Sequence, residues 1–206
     1  MTFPDFKIES INDYFSEYMK RLSAAAETVD RCALGQAAEM LAATYSGGET
    51  LFVCGNGGSA AISDSFVCDH AKLIQTDTNI KPRVISLSSN IPMVTAIAND
   101  ISYDDIFLYS LQTLARPSDL LLIISASGNS ANVVRAGQWA KGNGLRVIAL
   151  TGFGGGEAAD LADCHINVCA DNYGIIEDVF QSVMHTLAQF LRLQYMPAEL
   201  ISRRKF

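Results

Sequence analysis

The chain has 206 residues, of which 49% are hydrophobic and 18% charged, so it is long enough to bury a core of its own. Its 15 Lys and Arg against 22 Asp and Glu give a net charge of −7, and an acidic chain without a long basic run lacks the features of a nucleic-acid-binding protein. The apolar fraction is too high for a disordered chain, and no uninterrupted apolar run is long enough to cross a bilayer.

Two helices are predicted at the start of the chain. Apolar residues recur at three- and four-residue spacing in the first helix, and Gly47 and Gly48 indicate where the second helix ends. The apolar stripe of the first helix must be buried, either on its own domain or on another copy of the chain. This stripe comprises Ile8, Ile11, Phe15, Tyr18, Leu22 and Val29.

Five short apolar runs then alternate with helical stretches, which predicts an α/β fold with an open, five-stranded parallel sheet and helices on both faces. We predict one domain, residues 1–206, that consists of N-terminal helices (1–48), an α/β core (49–195) and a solvated tail (196–206). The predicted strands are 50–54, 83–87, 119–124, 145–150 and 165–168, and the helical stretches lie near 59–74, 91–115, 130–143 and 175–194.

Gly-rich loops follow three of the strands at the point where a helix begins, at 54–59 (CGNGGS), 125–130 (SASGNS) and 151–156 (TGFGGG). Ligands of open α/β sheets bind beyond the carboxyl ends of the strands, where glycine lets the backbone come close and helix N-termini favour anions. Each loop could also be a plain turn with a helix cap, since caps prefer the same residue types. Two loops that each end in serine favour a phosphate site.

A nucleotide cofactor is not expected. The first loop formally matches the dinucleotide fingerprint, but no acidic residue follows the strand at 83–87 to hold a ribose, and no Gly-Lys-Ser/Thr motif occurs. The five cysteines are scattered and the first residues lack a signal-peptide pattern, which predicts a cytoplasmic protein with reduced thiols.

In this order, the motifs Cys-Gly-Asn-Gly-Gly-Ser and Ile-Ser-Ala-Ser-Gly-Asn-Ser resemble those of the sugar-isomerase (SIS) domain family and, within it, the phosphoheptose isomerase branch. The resemblance covers nearly the whole chain, including Ala98-Asn99-Asp100 and the last helix with His185. It implies a flavodoxin-like three-layer sandwich, a phosphorylated sugar as ligand, and a homotetramer with active sites between subunits. Family members interconvert sedoheptulose 7-phosphate and D-glycero-D-manno-heptose 7-phosphate through an enediol.

Carried over by position, the resemblance also implies a set of ligand contacts. The serines would hold the phosphate, whereas Asn56 and Asp100 would touch the sugar, although Asp100 could equally be a helix cap. The implied binding residues are Asn56, Gly57, Gly58, Ser59, Asp100, Ser125, Ala126, Ser127 and Ser130.

The chain departs from the family pattern at the positions that bind zinc or transfer protons. The family's first-helix His and Glu fall on Ser65 and Asp69. Its last-helix Gln and His fall on Glu177 and His185, and an Asp before that Gln falls on Gly174. The remaining groups suffice for isomerisation, with Asp69 and Glu177 as candidate bases and His185 as candidate acid. They would also satisfy a rearranged zinc site with an open position.

Two alternatives remain open at the level of sequence. The departures at Ser65 and Gly174 are also what a non-catalytic phosphosugar-binding module would show, and His185 lies in the polar arc of its helix, which is often only a solvated face. A regulatory or interaction protein of the same fold is the third interpretation, since one branch of the family resembles a tetrameric partner of the bacterial replication initiator.

Overall fold

The computed structural model describes residues 2–206. A central parallel sheet lies between two layers of helices, with a π-helical turn after α3 and a 3-10 turn before α5. The strands are β1 (Thr50–Cys54), β2 (Arg83–Ser86), β3 (Leu120–Ser125), β4 (Arg146–Gly152) and β5 (Cys164–Val168). The helices are α1 (Ile11–Glu27), α2 (Arg31–Gly47), α3 (Gly58–Val67), α4 (Ile91–Asp100), α5 (Ile106–Leu114), α6 (Ala131–Gly142), α7 (Gly156–Leu161), α8 (Tyr173–Tyr195) and α9 (Ala198–Ile201).

The sheet confirms the predicted fold class. Its strand order is β2-β1-β3-β4-β5 and all four pairings are parallel, which is the flavodoxin-like arrangement. The order reverses between β1 and β3, because the chain passes from β1 outward to β2 and then back to β3 on the other side. Ligands of such sheets bind at this reversal, beyond the carboxyl ends of the two strands.

Helices cover both faces of the sheet, as predicted. One core contains side chains of α1, α2, α3 and α8, and the other contains side chains of α4, α5, α6 and α7. Strands β1 and β3 are buried along their whole length between these layers, which explains their continuous apolar sequences.

The observed helix ends agree with the predicted ones where a capping residue or a glycine marks the end of the helix. Asp30 accepts a hydrogen bond from the backbone N–H of Cys32 at the start of α2, and Gly48 ends that helix with a left-handed φ of 83°. Asn172 caps the start of α8 in the same way as Asp30 caps α2.

Two predictions need correction. The stretch at 91–115 is not one helix, because the chain breaks at Ile101 and makes a 3-10 turn before α5. The stretch at 59–74 ends in a π-helical turn at Cys68–Leu73 instead of a regular helix. The last six residues are exposed, as predicted, and Arg204 among them makes two hydrogen bonds to the Asp77 carboxylate, which also accepts one from the buried Arg192.

The N-terminal stripe is only partly buried in the single chain. Val29 lies in the core, whereas Ile11 and Phe15 remain 77% and 62% exposed. Within residues 2–206, none of the helices combines the length and the apolar character that a membrane span requires.

Candidate active site

Two Gly-rich loops meet at the point where the strand order reverses. The first joins β1 to α3 and the second joins β3 to α6. Asn56 in the first loop donates to the side-chain oxygen of Asn132 at 2.8 Å, and Asn132 donates back to Asn56 at 3.0 Å. This reciprocal amide pair joins the first loop to the first turn of α6, so the N-termini of α3 and α6 are held close together.

Short hydroxyl groups line both loops. Ser59 lies in the first turn of α3 and is 4% exposed, and Ser125 ends β3, where its Oγ accepts a hydrogen bond from the Gly128 backbone. Ser127 accepts a hydrogen bond from the Asn129 backbone at 3.3 Å. Ser130 is the N-cap of α6, yet its hydroxyl forms no capping bond within the described chain, which leaves it available to a ligand.

Glu177 lies directly against the first loop. Its carboxylate occupies the space that a side chain at Gly58 would fill, at the start of α3. Burial raises the pKa of the Glu177 carboxyl, and the neighbouring charge of Asp178 raises it further. A carboxyl group with a raised pKa beside the predicted phosphate loop is suited to exchanging a proton with a bound ligand.

The third Gly-rich loop supports the second one. A Cβ at Gly128 would overlap the carbonyl oxygen of Gly155, so only glycine allows this close approach. The Asn129 side chain accepts a hydrogen bond from the Glu157 backbone at 2.9 Å, and Gly152 donates to the carbonyl of Ala126 at the same distance. These bonds fix the backbone conformation of the second loop. The backbone of Ala126, a predicted ligand-binding residue, is therefore held in place.

Asp69 and His185 form a side-chain pair. Asp69 lies in the π-helical turn, and its Oδ2 is 2.6 Å from Nδ1 of His185 on α8. Gln181, one turn earlier on α8, places its amide nitrogen 2.9 Å from Nε2 of His185 and 3.1 Å from Oγ of Ser65. The predicted proton-transfer residues Asp69 and His185 are therefore adjacent, although they are 116 positions apart in the chain.

The buried side of the π-helical turn is held by His70. This ring is fully buried, stacks on Phe66 with ring centroids 3.7 Å apart, and hydrogen-bonds through Nδ1 to the hydroxyl of Tyr45 at 2.7 Å. Burial lowers the pKa of His70 to about 3, so the imidazole is neutral at physiological pH. His70 thus anchors the turn in the core while its neighbour Asp69 faces α8.

Asp100 is the one predicted binding residue that the structure leaves apart from the loops. It is the exposed last residue of α4, and its carboxylate accepts a hydrogen bond from its neighbour Asn99. No hydrogen bond of the described chain links it to either loop. Tyr103, just beyond it, instead donates to the Asn56 side chain at 3.1 Å.

The predicted zinc ligands do not assemble into a zinc site in this chain. Asp69 and Gln181 engage the two imidazole nitrogens of His185, and Glu177 lies against Gly58. No cluster of three His, Cys, Asp or Glu side chains that could hold a metal ion exists between residues 2 and 206. Because the side chains do not fit the metal, none of the chemistry derived below passes through one.

Three residues of the site have no role in the sequence prediction. Asn132 lies inside α6, beyond the loop motif, and Tyr103 lies in a 3-10 turn where the sequence indicates only a loop and a helix start. The spacing places Gln181 on one helical face with Glu177 and His185, but it does not show that Gln181 contacts His185.

Known proteins are similar to this chain in both sequence and fold. The family described as "SIS domain" matches residues 13–152. A phosphoheptose isomerase of Shewanella sp. (strain ANA-3) is 35% identical over 195 residues, which cover 93% of this chain and 98% of that protein. The chain therefore belongs to the SIS domain family, and phosphoheptose isomerases are among its relatives.

Solved structures agree with this assignment. A phosphoheptose isomerase from Francisella tularensis superposes with a TM-score of 0.78 at 28% identity, covering 89% of this chain and 96% of that one. One from Neisseria gonorrhoeae gives the same TM-score at 30% identity, covering 88% and 96%. The similarity extends over most of each protein, so the whole fold is shared.

Proposed function

We propose that this protein is a phosphosugar isomerase that interconverts sedoheptulose 7-phosphate and D-glycero-D-manno-heptose 7-phosphate. The observation that carries the proposal is the amide pair between Asn56 and Asn132, which joins the first serine- and glycine-rich loop to the helix that follows the second. The relatives named phosphoheptose isomerase, similar over 93% of the chain, support the choice of reaction.

The phosphate would be held by the ends of α3 and α6. Helix N-termini present free N–H groups and a partial positive charge, and a phosphate monoester carries the complementary charge. The Ser130 hydroxyl, which makes no capping bond within residues 2–206, and the buried Ser59 residue add short hydroxyl donors near the two helix ends. The proposed phosphate-binding residues are Gly57, Gly58, Ser59, Ser125, Ala126, Ser127 and Ser130, with Asn56 toward the sugar.

The isomerisation requires proton transfer between two adjacent carbons. A base removes a proton from C1, the C–H electron pair forms the C1–C2 double bond, and the carbonyl oxygen on C2 takes a proton to give an enediol. A proton then returns to C2 while the hydroxyl on C1 loses its own, which leaves the aldehyde. Asp69, Glu177 and His185 are the groups available for these transfers.

A direct test follows the substrate proton. We expect the purified protein to exchange the C1 proton of sedoheptulose 7-phosphate with deuterium from solvent, measured by NMR, and to form the aldose. Absence of exchange on every ketose phosphate tried, with and without added Zn²⁺, would overturn the isomerase assignment.

A phosphosugar-binding module without turnover is the second candidate. It is favoured by the position of Gly174, where the family usually has an Asp and where the Tyr18 hydroxyl now occupies the space beside the backbone. The Tyr18 hydroxyl donates to Asp178 at 2.7 Å, and this contact holds Tyr18 beside Gly174. Thermal stabilisation by sugar phosphates without any proton exchange would select this function.

We also propose a homotetramer with sites at subunit interfaces. Ile11, Phe15 and Met19 form an exposed apolar stripe at four-residue spacing on α1, which a second copy of the chain would cover. Light scattering should give the mass of a tetramer, and Phe15→Glu should reduce it, whereas Ser16→Glu on another side of α1 should not. A monomer at micromolar concentration would contradict the proposal.

The cytoplasmic location is a further expectation, testable by cell fractionation.

A further inference from the structure

The amide group of Gln181 links Ser65 to His185. Its nitrogen lies 3.1 Å from Oγ of Ser65 and 2.9 Å from Nε2 of His185, and both contacts are partly buried. An amide nitrogen carries two hydrogens and accepts none, so each neighbour must accept. One amide hydrogen of Gln181 is therefore donated to the Ser65 hydroxyl oxygen, and the other is donated to Nε2 of His185.

The direction of the hydrogen bond from Gln181 to His185 assigns the tautomer of His185. A neutral imidazole that accepts at Nε2 carries its hydrogen at Nδ1. Nδ1 is 2.6 Å from Oδ2 of Asp69, so this hydrogen is donated to the carboxylate. The chain of donors thus runs from Gln181 through His185 to Asp69.

We infer that Gln181 is a positioning residue that holds His185 as the Nδ1–H tautomer, and that His185 in turn orients Asp69 as the base that touches the substrate. The role in catalysis rests on the proposed isomerase function, but the tautomer does not. One Asp69 oxygen accepts from His185, which leaves the other oxygen to take a proton from carbon. His185 acts through Asp69 in this arrangement and not as the acid that the resemblance implies.

The hydrogen-bonded chain accounts for the departure at Ser65 and for the absence of zinc ligation by His185. Ser65 replaces a histidine, and its short hydroxyl is the acceptor that the second amide hydrogen of Gln181 needs. Zinc ligation by His185 would require a free lone pair on one imidazole nitrogen, but Nδ1 carries the hydrogen donated to Asp69 and Nε2 accepts from Gln181. The same side chains that make a hydrogen-bonded chain therefore prevent His185 from acting as a metal ligand.

Imidazole ¹⁵N NMR tests the tautomer without substrate. The chain has three histidines, so His185→Asn identifies the signals of interest. At a pH where the ring is neutral, we expect protonated-type Nδ1 and unprotonated-type Nε2 signals for His185. The Gln181→Glu side chain has nearly the same shape, but its carboxylate accepts hydrogen bonds. The imidazole hydrogen of His185 should therefore move from Nδ1 to Nε2, where it can be donated to this carboxylate. Wild-type His185 with its hydrogen on Nε2, or a tautomer that Gln181→Glu leaves unchanged, would overturn the inference.

Kinetics test the positioning role. Gln181→Met keeps the length of the side chain and removes both donors, so kcat should fall about tenfold, the value of one hydrogen bond, with little change in KM. Gln189→Met, at an exposed position of the same helix, is the matched control for folding and should retain kcat. An unchanged kcat for Gln181→Met in a folded, active enzyme would overturn this role.

Zn²⁺ provides a second readout that does not depend on activity. Added Zn²⁺ should leave the ¹⁵N signals of His185 unchanged in the wild-type protein, whereas a coordination shift of those signals would overturn the inference. A wild-type protein that shows the expected tautomer but isomerises no ketose phosphate would refute the proposed function and still support the tautomer assignment.

Discussion

The phosphate loops and the acid–base cluster are built in different ways. The loops are backbone at the ends of two paired strands, and the reciprocal bonds of Asn56 and Asn132 lock them together. The cluster consists of side chains on two separate helical segments, Ser65 with Asp69 and Gln181 with His185. Its two cross-contacts each span 116 positions, because each segment contributes residues four apart that meet in register.

This difference shows which part of the site tolerates sequence change. A helix N-terminus offers the same backbone N–H groups for many sequences, whereas a side-chain network changes its polarity with a single replacement. The departures that the sequence resemblance implies, at Ser65, Asp69, Gly174 and Glu177, are all expected in the cluster or beside it and not in the loops.

The largest effect is expected in the acid–base cluster. Asp69→Asn replaces the carboxylate with an amide that cannot accept a proton, so kcat should fall by about 10²- to 10⁴-fold, the usual contribution of a general base. Deuterium exchange at C1 should fall in parallel. Asp64→Asn, on the exposed side of α3, is the matched control and should retain full activity. A loss below about tenfold for Asp69→Asn would transfer the role of base to Glu177.

The second largest effect is expected in the phosphate loops, and it should appear in KM and not in kcat. Ser130→Ala removes a hydroxyl available to the phosphate, and a hydrogen bond to a charged group contributes about 1.5 to 3 kcal/mol. KM should therefore rise about 10- to 100-fold while kcat changes little. Ser182→Ala on α8 controls for the loss of an exposed hydroxyl. A fall in kcat at constant KM would place Ser130 with the proton-transfer groups instead.

The two regions also differ in how far the sequence predicts them. Strand ends, glycines and serines are local signals, so the sequence alone suffices to locate the loops. The π-helical turn has no such signal, since it depends on the packing of His70 between Phe66 and Tyr45. Spacing places Glu177, Gln181 and His185 on one face, but only the tertiary structure shows that Gln181 engages the nitrogen a metal would need.

The loop connection can be broken by a single change. Asn132 is 1% exposed, so Asn132→Ala should leave the partly buried amide nitrogen of Asn56 without its acceptor and cost about 1 to 3 kcal/mol of unfolding free energy. Urea denaturation measures this loss, and KM for the sugar phosphate should rise with it. Asn143→Ala, at the exposed end of the same helix, should cost far less. Equal stability of the Asn132→Ala and wild-type proteins would mean that strand pairing alone aligns the loops.

The smallest effect concerns Glu177, which lies where the two regions meet. Burial raises the pKa of its carboxyl above the ordinary value of 4.5, so the ionised form is less favourable in the folded than in the unfolded protein. Below pH 4.5 both states hold the proton and Glu177→Gln should match the wild-type stability. As the pH rises through the raised pKa, the wild type should lose stability relative to Glu177→Gln. Thermal unfolding from pH 4 to 8 measures this difference, with Glu39→Gln on the exposed side of α2 as the control for one lost charge. A wild type that gains stability over the variant as the pH rises would show that Glu177 is held by a favourable charge contact, which would assign it to phosphate-loop structure instead of proton transfer.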